Sequence, residues 1–215
     1  MDQLTEQWVQ DLRDGRTPRL WPLLIGLGVM TIGSVVLLLA EFTHPGFVTE
    51  SGAHHRGPVL VLLPILVLVA GPVIAISTWL SSRQDRRILR IIRASSMPHF
   101  YLPVIAKGIR ISEDLPEPRP LIWTIDRAGL HGWARNTAVP TVVVAWSAIH
   151  DIRVANKQYR GQLTGYGISI HTDDRTLVLR CRTALGRSFE VGERQLGVLL
   201  QVLSSLRRDF DPPEQ

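Results

Sequence analysis

Two uncharged apolar runs, residues 20–40 and 58–80, limit what this chain can become more than any other feature. At about 1.5 Å per residue in a helix, each run is roughly 30–35 Å long, enough to cross the hydrocarbon core of a bilayer. Trp21 stands at the start of the first run and Trp79 near the end of the second, where an indole ring suits the headgroup layer. The first run is longer than an ordinary signal-peptide core and a second follows it, so both read as anchors. Gly26, Gly33 and Ala40 recur every seven residues in the first run, and Gly71 and Ala75 form a small-residue pair in the second. Such spacing lets helices approach closely in lipid. Pro64 and Pro72 are expected to kink or loosen the second helix.

Directly after the second run the sequence becomes Ser-Ser-Arg-Gln-Asp-Arg-Arg-Ile-Leu-Arg-Ile-Ile-Arg, residues 81–93. On a helix, Arg83, Arg86, Arg87, Arg90 and Arg93 share one face, while Ile88, Leu89, Ile91 and Ile92 share the other. A basic amphipathic helix at the end of a span is expected to lie on an anionic lipid surface. Arg13, Arg16 and Arg19 precede the first run, whereas the segment between the runs, residues 41–57, holds only Arg56. This asymmetry places both termini in the cytoplasm and the short loop outside. The chain carries 24 Lys and Arg against 19 Asp and Glu, a net charge of +5, and the largest basic cluster sits beside the membrane. A lipid surface is therefore the expected partner, and nucleic acid is not.

Residues 1–19 are polar, but Leu4, Trp8 and Leu12 recur at helical spacing, so this segment is either a short helix on the membrane or a frayed tail. The external loop contains Glu41, His44, Glu50, His54 and His55. These residues have no helical spacing to aim them at a metal, and a solvated loop fits them better than a metal or pH-sensing site. Residues 81–120 are a basic helix followed by a connector, ending in the proline-rich stretch Glu-Asp-Leu-Pro-Glu-Pro-Arg-Pro of residues 113–120.

From Leu121 the apolar period changes from helical to two-residue. Leu121, Trp123 and Ile125 alternate with Ile122, Thr124 and Asp126, and the turn Asp126-Arg127-Ala128-Gly129 leads into residues 130–134. Residues 139–146 are mostly β-branched. Tyr166, Ile168 and Ile170 alternate with Gly167, Ser169 and His171, and Thr172-Asp173-Asp174-Arg175 reads as a hairpin turn. Leu177, Leu179 and Cys181 face one side of the next strand, with Val178, Arg180 and Arg182 on the other. Residues 187–191 read as a short last strand. A helix then begins at Glu193, with Leu196, Leu199, Leu200, Leu203 and Leu206 forming one apolar stripe and residues 211–215 left as a tail.

Six or seven antiparallel strands closed by one amphipathic helix is the order of a pleckstrin-homology-like barrel. Residues 121–130 (Leu-Ile-Trp-Thr-Ile-Asp-Arg-Ala-Gly-Leu) resemble the first strand and D-x-x-G-L turn of bacterial members of that family. Residues 144–152 (Val-Ala-Trp-Ser-Ala-Ile-His-Asp-Ile) are similar to their W-S-x-I-x-x-I segment. The resemblance implies an α+β chain in which a two-helix transmembrane hairpin precedes a cytoplasmic barrel, residues 121–210, anchored in a bacterial cell membrane. It implies a binding scaffold and not an enzyme. The first hairpin offers Arg127 and Arg135 without the basic pattern used to recognise phosphoinositides.

No glycine-rich phosphate loop, Gly-x-Ser-x-Gly elbow or His-Glu-x-x-His motif occurs in the sequence. Cys181 is the only cysteine; it lies on the apolar side of its strand and reads as a structural thiol. No cofactor, metal or small-molecule substrate is expected. The leading expectation is a membrane-anchored adaptor that binds other membrane proteins. Its candidate contact residues are Arg153, Lys157, Tyr159 and Arg160, a charged and aromatic stretch expected between two strands. The alternatives are an accessory subunit packed through its two spans and an envelope sensor using the histidine loop. The topology is directly testable. A cysteine at Gly52 should react with an impermeant thiol reagent in intact cells, and one at Ser188 only after lysis. Labelling of Ser188→Cys from outside would place the whole C-terminal part on the other side of the membrane.

Overall fold

The computed structural model describes residues 6–43, 57–105, 117–159 and 161–210. Contacts divide the chain into two units, Arg19–Leu80 and the pair of segments Met1–Pro18 and Ser81–Gln215. In chain order the elements are α1 (Gln7–Arg13), α2 (Trp21–Thr43), α3 (Gly57–Ser95), β1 (Phe100–Pro103), β2 (Ile122–Asp126), β3 (Gly129–Trp133), β4 (Val142–Ala145), β5 (Ile149–Tyr159), β6 (Gln162–Thr172), β7 (Thr176–Leu179) and α4 (Glu193–Phe210). The class is α+β, with two helices long and apolar enough to cross a membrane.

The first unit is built from α2 and the apolar part of α3. Val29, Ile32, Val36, Val69, Val73 and Ile76 point outward and stay exposed, as side chains facing lipid would. The hydroxyls of Thr31 and Ser34 donate to the carbonyls of Leu27 and Met30, both at 2.8 Å, so neither is left unpaired in an apolar setting. Gly71 is where the two helices come close: a Cβ there would lie 3.6 Å from Thr31 Oγ1 and 4.0 Å from Leu27. Gly26 and Gly33 face open space, so the seven-residue stripe is not the contact between these two helices. The helix α3 continues through Pro64 and Pro72.

In the second unit, β1 to β4 form one antiparallel sheet in that order, and β5 to β7 form another. The turn between β2 and β3 has a clear chemical cause. Asp126 Oδ1 accepts from the backbone N–H groups of Ala128 at 2.8 Å and Gly129 at 3.3 Å, an Asx turn. Gly129 adopts φ +143°, and a Cβ there would stand 2.1 Å from the Val144 carbonyl oxygen, so only glycine fits. Trp146, in a 3₁₀ turn after β4, donates its indole N–H to the Asp126 carbonyl at 2.9 Å. The two motifs quoted above therefore hold each other in place. The buried Trp133 indole likewise donates to Thr124 Oγ1 at 2.8 Å.

The strands do not form a closed barrel among the described residues. On one side the sheets are stitched by a bridge between Val104 and Cys181, with Ile105 N donating to Arg180 O and Arg182 N to Pro103 O, both at 2.9 Å. On the other side β4 and β5 have no ladder between them. The helix α4 buries Leu196, Val198, Leu199, Val202, Leu203 and Leu206 and packs on β5 and β6. The short strand expected at 187–191 is reduced to a single bridge between Arg182 and Glu190.

The compact unit is wider than residues 121–210. The strand β1 comes from the segment expected to be a connector, and it pairs with β2 from Phe100↔Ile125 to Pro103↔Ile122. Val9 and Leu12 of α1 are buried in the same core, so the apolar face of that helix docks on the domain; Leu4 is outside the described residues. Gly15 at φ +63° lies against the Tyr101 ring, and Arg93 Nη2 donates to its carbonyl at 2.9 Å. Ile88, Leu89 and Ile92 are 2%, 3% and 0% exposed, packed in the core of this domain. Truncating such a side chain costs about 2–5 kcal/mol. A fragment of residues 121–210 is therefore expected to lack fixed tertiary structure by near-ultraviolet circular dichroism, and restoring residues 81–120 is expected to bring it back. A cooperatively unfolding 121–210 fragment would show that β1 and the isoleucine face are dispensable.

Candidate functional site

The most densely bonded polar group in the described structure joins the membrane-proximal part of α3 to the chain after β7. Ser82, Asp85, Ile88 and Leu89, and Ile92 follow at steps of three or four residues along one helix face, so Asp85 belongs to the buried stripe and not to the arginine face. Arg182 reaches it in a two-point contact: Nη2 to Oδ1 at 3.1 Å and Nη1 to Oδ2 at 3.0 Å. Both side chains are almost fully buried. The N–H of Gly186 donates to Asp85 Oδ2 at 2.6 Å. The same guanidinium donates to the carbonyls of Arg187 at 3.0 Å and Leu121 at 3.3 Å. Gly186 has φ +78°, and a Cβ there would lie 3.3 Å from Ser82, so the loop after Arg182 sits tightly on the helix. With both oxygens occupied, Asp85 is a structural anion and not a general base. Strand alternation puts Arg182 on the side opposite Leu177, Leu179 and Cys181, and Asp85 stands in the sequence among arginines. The signal that finds Asp85 is its three-residue offset from Ile88.

The five arginines expected on lipid, Arg83, Arg86, Arg87, Arg90 and Arg93, are all exposed, and Arg93 also donates to the Gly15 carbonyl. The apolar face opposite them is filled by the domain, so it is not available to sink into lipid. The segment is amphipathic because one face packs into the protein core and the other is exposed.

The expected partner-binding residues do not form an inter-strand loop. Arg153, Lys157 and Tyr159 all lie on β5, and Arg160 falls outside the described residues. The strands β5 and β6 pair along their full length, but β7 covers β6 only from Ile168 to His171. The remainder, Asn156–Tyr159 of β5 paired with Gln162–Gly165 of β6, is a two-stranded arm. Tyr159 and Leu163 are exposed on it, and Lys157 Nζ stands 5.8 Å from the centre of the Tyr166 ring. Arg153 is paired with Asp151 lower on the strand. A register shift between Ala155 and Asn156 marks the start of the arm, and Gly165 lies against Val154 and Leu196.

Elsewhere the reactive residue types are accounted for. Cys181 is fully buried, and loss of solvent pushes its thiol up to about 12, so it stays protonated and unreactive. His131 bonds Asp126 at 3.1 Å, His171 is held between Ser169 and Thr176, and exposed His150 pairs with Asp173. Arg207 of α4 donates to the His150 carbonyl at 3.1 Å and also to the Ile149 carbonyl, fastening the helix to the start of β5. No cluster of metal-ligating residues occurs among the described residues; His44, His54 and His55 lie outside them.

Comparison of the chain with protein-family models, with curated proteins and with solved structures found no match. The site is therefore read from its own geometry. Removing one member of a buried ion pair typically costs about 3–5 kcal/mol, because the other charge is left unpaired. Asp85→Ala should lower the denaturation midpoint of the C-terminal domain strongly, and Arg86→Ala, on the exposed face, should leave it nearly unchanged. Equal effects of the two substitutions would mean that the Asp85 pair contributes no more than a surface charge.

Proposed function

We propose that the chain is a membrane-anchored adaptor: two spans hold a pleckstrin-homology-like domain at the cytoplasmic face, and the domain binds other membrane proteins. The observation that carries this reading is the β5–β6 arm. It extends past the sheet, has lost the cover of β7, and presents Tyr159, Leu163 and Lys157 to solvent. Exposed aromatic and aliphatic side chains beside a cation are the composition of an interface anchor, and a two-stranded arm offers main-chain groups to an added strand. The sheet order of four plus three strands, with a C-terminal helix over the second sheet, supports the family reading, as do the paired Asp126–Gly129 and Trp146 motifs. Anchoring keeps the arm near the bilayer and raises its effective concentration toward neighbours there.

A second reading, an accessory subunit packed through its spans, draws support from Gly26 and Gly33, which face open space on α2 and leave room for another helix. Affinity capture in mild detergent separates the two. Partners recovered with the full chain should be lost with the double substitution Lys157→Glu, Leu163→Asp, while the fold, followed by protease resistance, is retained. If that variant captures the same partners, and residues 1–80 alone also recover them, the spans and not the arm are the interface.

A further inference from the structure

We infer that the loop of residues 183–189 is a second membrane contact, with Phe189 reaching the headgroup layer near Ser81, the residue that follows the second apolar run. The inference rests on the reading of residues 58–80 as a membrane span and adds a site to it. Ser81 is bonded covalently to Leu80, the last residue of the apolar run, and Arg83 is the first charge after it. Ser81 Oγ lies 2.8 Å from Ser188 Oγ. Two serine side chains and one Cα–Cα step of about 3.8 Å separate Phe189 from Ser81, so the two backbones are on the order of 10 Å apart. The polar layer on each side of a bilayer is about 6 Å thick. A phenylalanine ring carried that close to Ser81 can reach the depth where an aromatic ring is favoured.

The loop is built to stay there. Leu185 is fully buried in the domain core. Gly186 N is bonded to Asp85, Arg182 to the Arg187 carbonyl, and Thr183 N to the Phe189 carbonyl at 3.0 Å. On this fixed loop Phe189 is 51% exposed, an apolar ring presented to whatever lies beside the membrane end of α3. The charges around it suit lipid. Arg187 lies two residues before it, Arg83, Arg86 and Arg87 stand on the first exposed turns of the helix, and Glu190 is paired with Arg180. A ring flanked by cations fits an anionic headgroup layer.

The test uses the full chain in nanodiscs of phosphatidylcholine and phosphatidylglycerol. A nitroxide is attached in turn to Phe189→Cys, Leu163→Cys and Val69→Cys; buried Cys181 stays unlabelled. Collisions with oxygen, which concentrates in lipid, are compared with collisions with a water-soluble nickel chelate. The label at 189 should favour oxygen several-fold more than the label at 163, and less than the label at 69. Equal ratios at 189 and 163 would overturn the inference. Shielding of 189 from both reagents would also overturn it, since protein and not lipid would then cover the loop. If the label at 69 also behaves as water-exposed, the membrane reading itself fails. Replacing phosphatidylglycerol with phosphatidylcholine should reduce the oxygen preference at 189, and no change would remove the arginines from the account.

Discussion

The buried pair of Asp85 and Arg182 is the constraint on which the C-terminal domain depends. Both charges leave water, a loss that only close, many-point bonding offsets. The structure supplies that bonding in full for the carboxylate: two guanidinium contacts and the Gly186 amide at 2.6 Å. The guanidinium in turn spans Leu121, at the entry to β2, and Arg187, in the loop beside the helix. One ion pair thus joins three stretches of chain that are distant in sequence. It also explains why Gly186 takes a left-handed conformation there: a side chain at that position would press on Ser82 while the amide must still reach Asp85.

How far this arrangement was legible depended on whether the local pattern had one physical meaning or two. Two-residue alternation has one meaning, a half-buried strand, and residues 176–179 follow it; residues 122–126 also form a strand, but Ile122 to Ile125 are buried on both faces. The leucine stripe of residues 196–206 was equally direct, because no competing surface exists for a helix that closes a chain of strands. The turn at Asp126 was visible because aspartate and glycine three residues apart are an Asx-turn signal, and the structure shows both the bonds and the lack of room that require them. The isoleucine face of residues 88–92 had two meanings. Lipid and a protein core are both apolar, and amphipathicity alone does not distinguish them. The same ambiguity hid the docking of α1, whose Val9 and Leu12 are buried in the domain. The strand β1 was missed because four residues, Phe-Tyr-Leu-Pro, are too few to show a period, and all four are buried. Among the expected contact residues, Lys157 and Tyr159 fell on an exposed strand end, where the absence of a core period was the informative sign; Arg153 fell on the same strand, lower down.

The barrel expectation shows a different limit. Strand order and the terminal helix were legible, but closure depends on hydrogen bonds between residues far apart in sequence. The strand β1 and the chain after β7 meet through the Val104–Cys181 bridge and two flanking backbone bonds. Between β4 and β5 the chain instead makes a 3₁₀ turn that buries Trp146, and Phe210 at the end of α4 comes within 6.5 Å of that ring. Arg207 then donates to the carbonyls of Ile149 and His150. A helix therefore supplies further bonds at the start of β5, which pairs with β6 but not with β4.

A buried ion pair is a costly way to fasten a helix that already has an isoleucine face, and the cost has a consequence for register. Displacing the helix by three residues would bring Ile91, Ile92 and Ser95 to the places of Ile88, Leu89 and Ile92, so two of the three core positions would stay apolar. Hydrophobic packing alone penalises that displacement mainly at the third position. The carboxylate adds to the penalty. A one-turn slip carries Asp85 about 5.4 Å along the axis, out of reach of Arg182 and Gly186. Two desolvated charges and an amide would then be unpaired together. This penalty falls on the slipped states and not on the native one, so the pair and the packing together select a single register. Because Asp85 lies five residues after Leu80, the selected register is the one in which the 183–189 loop is held against the residues that follow the apolar run.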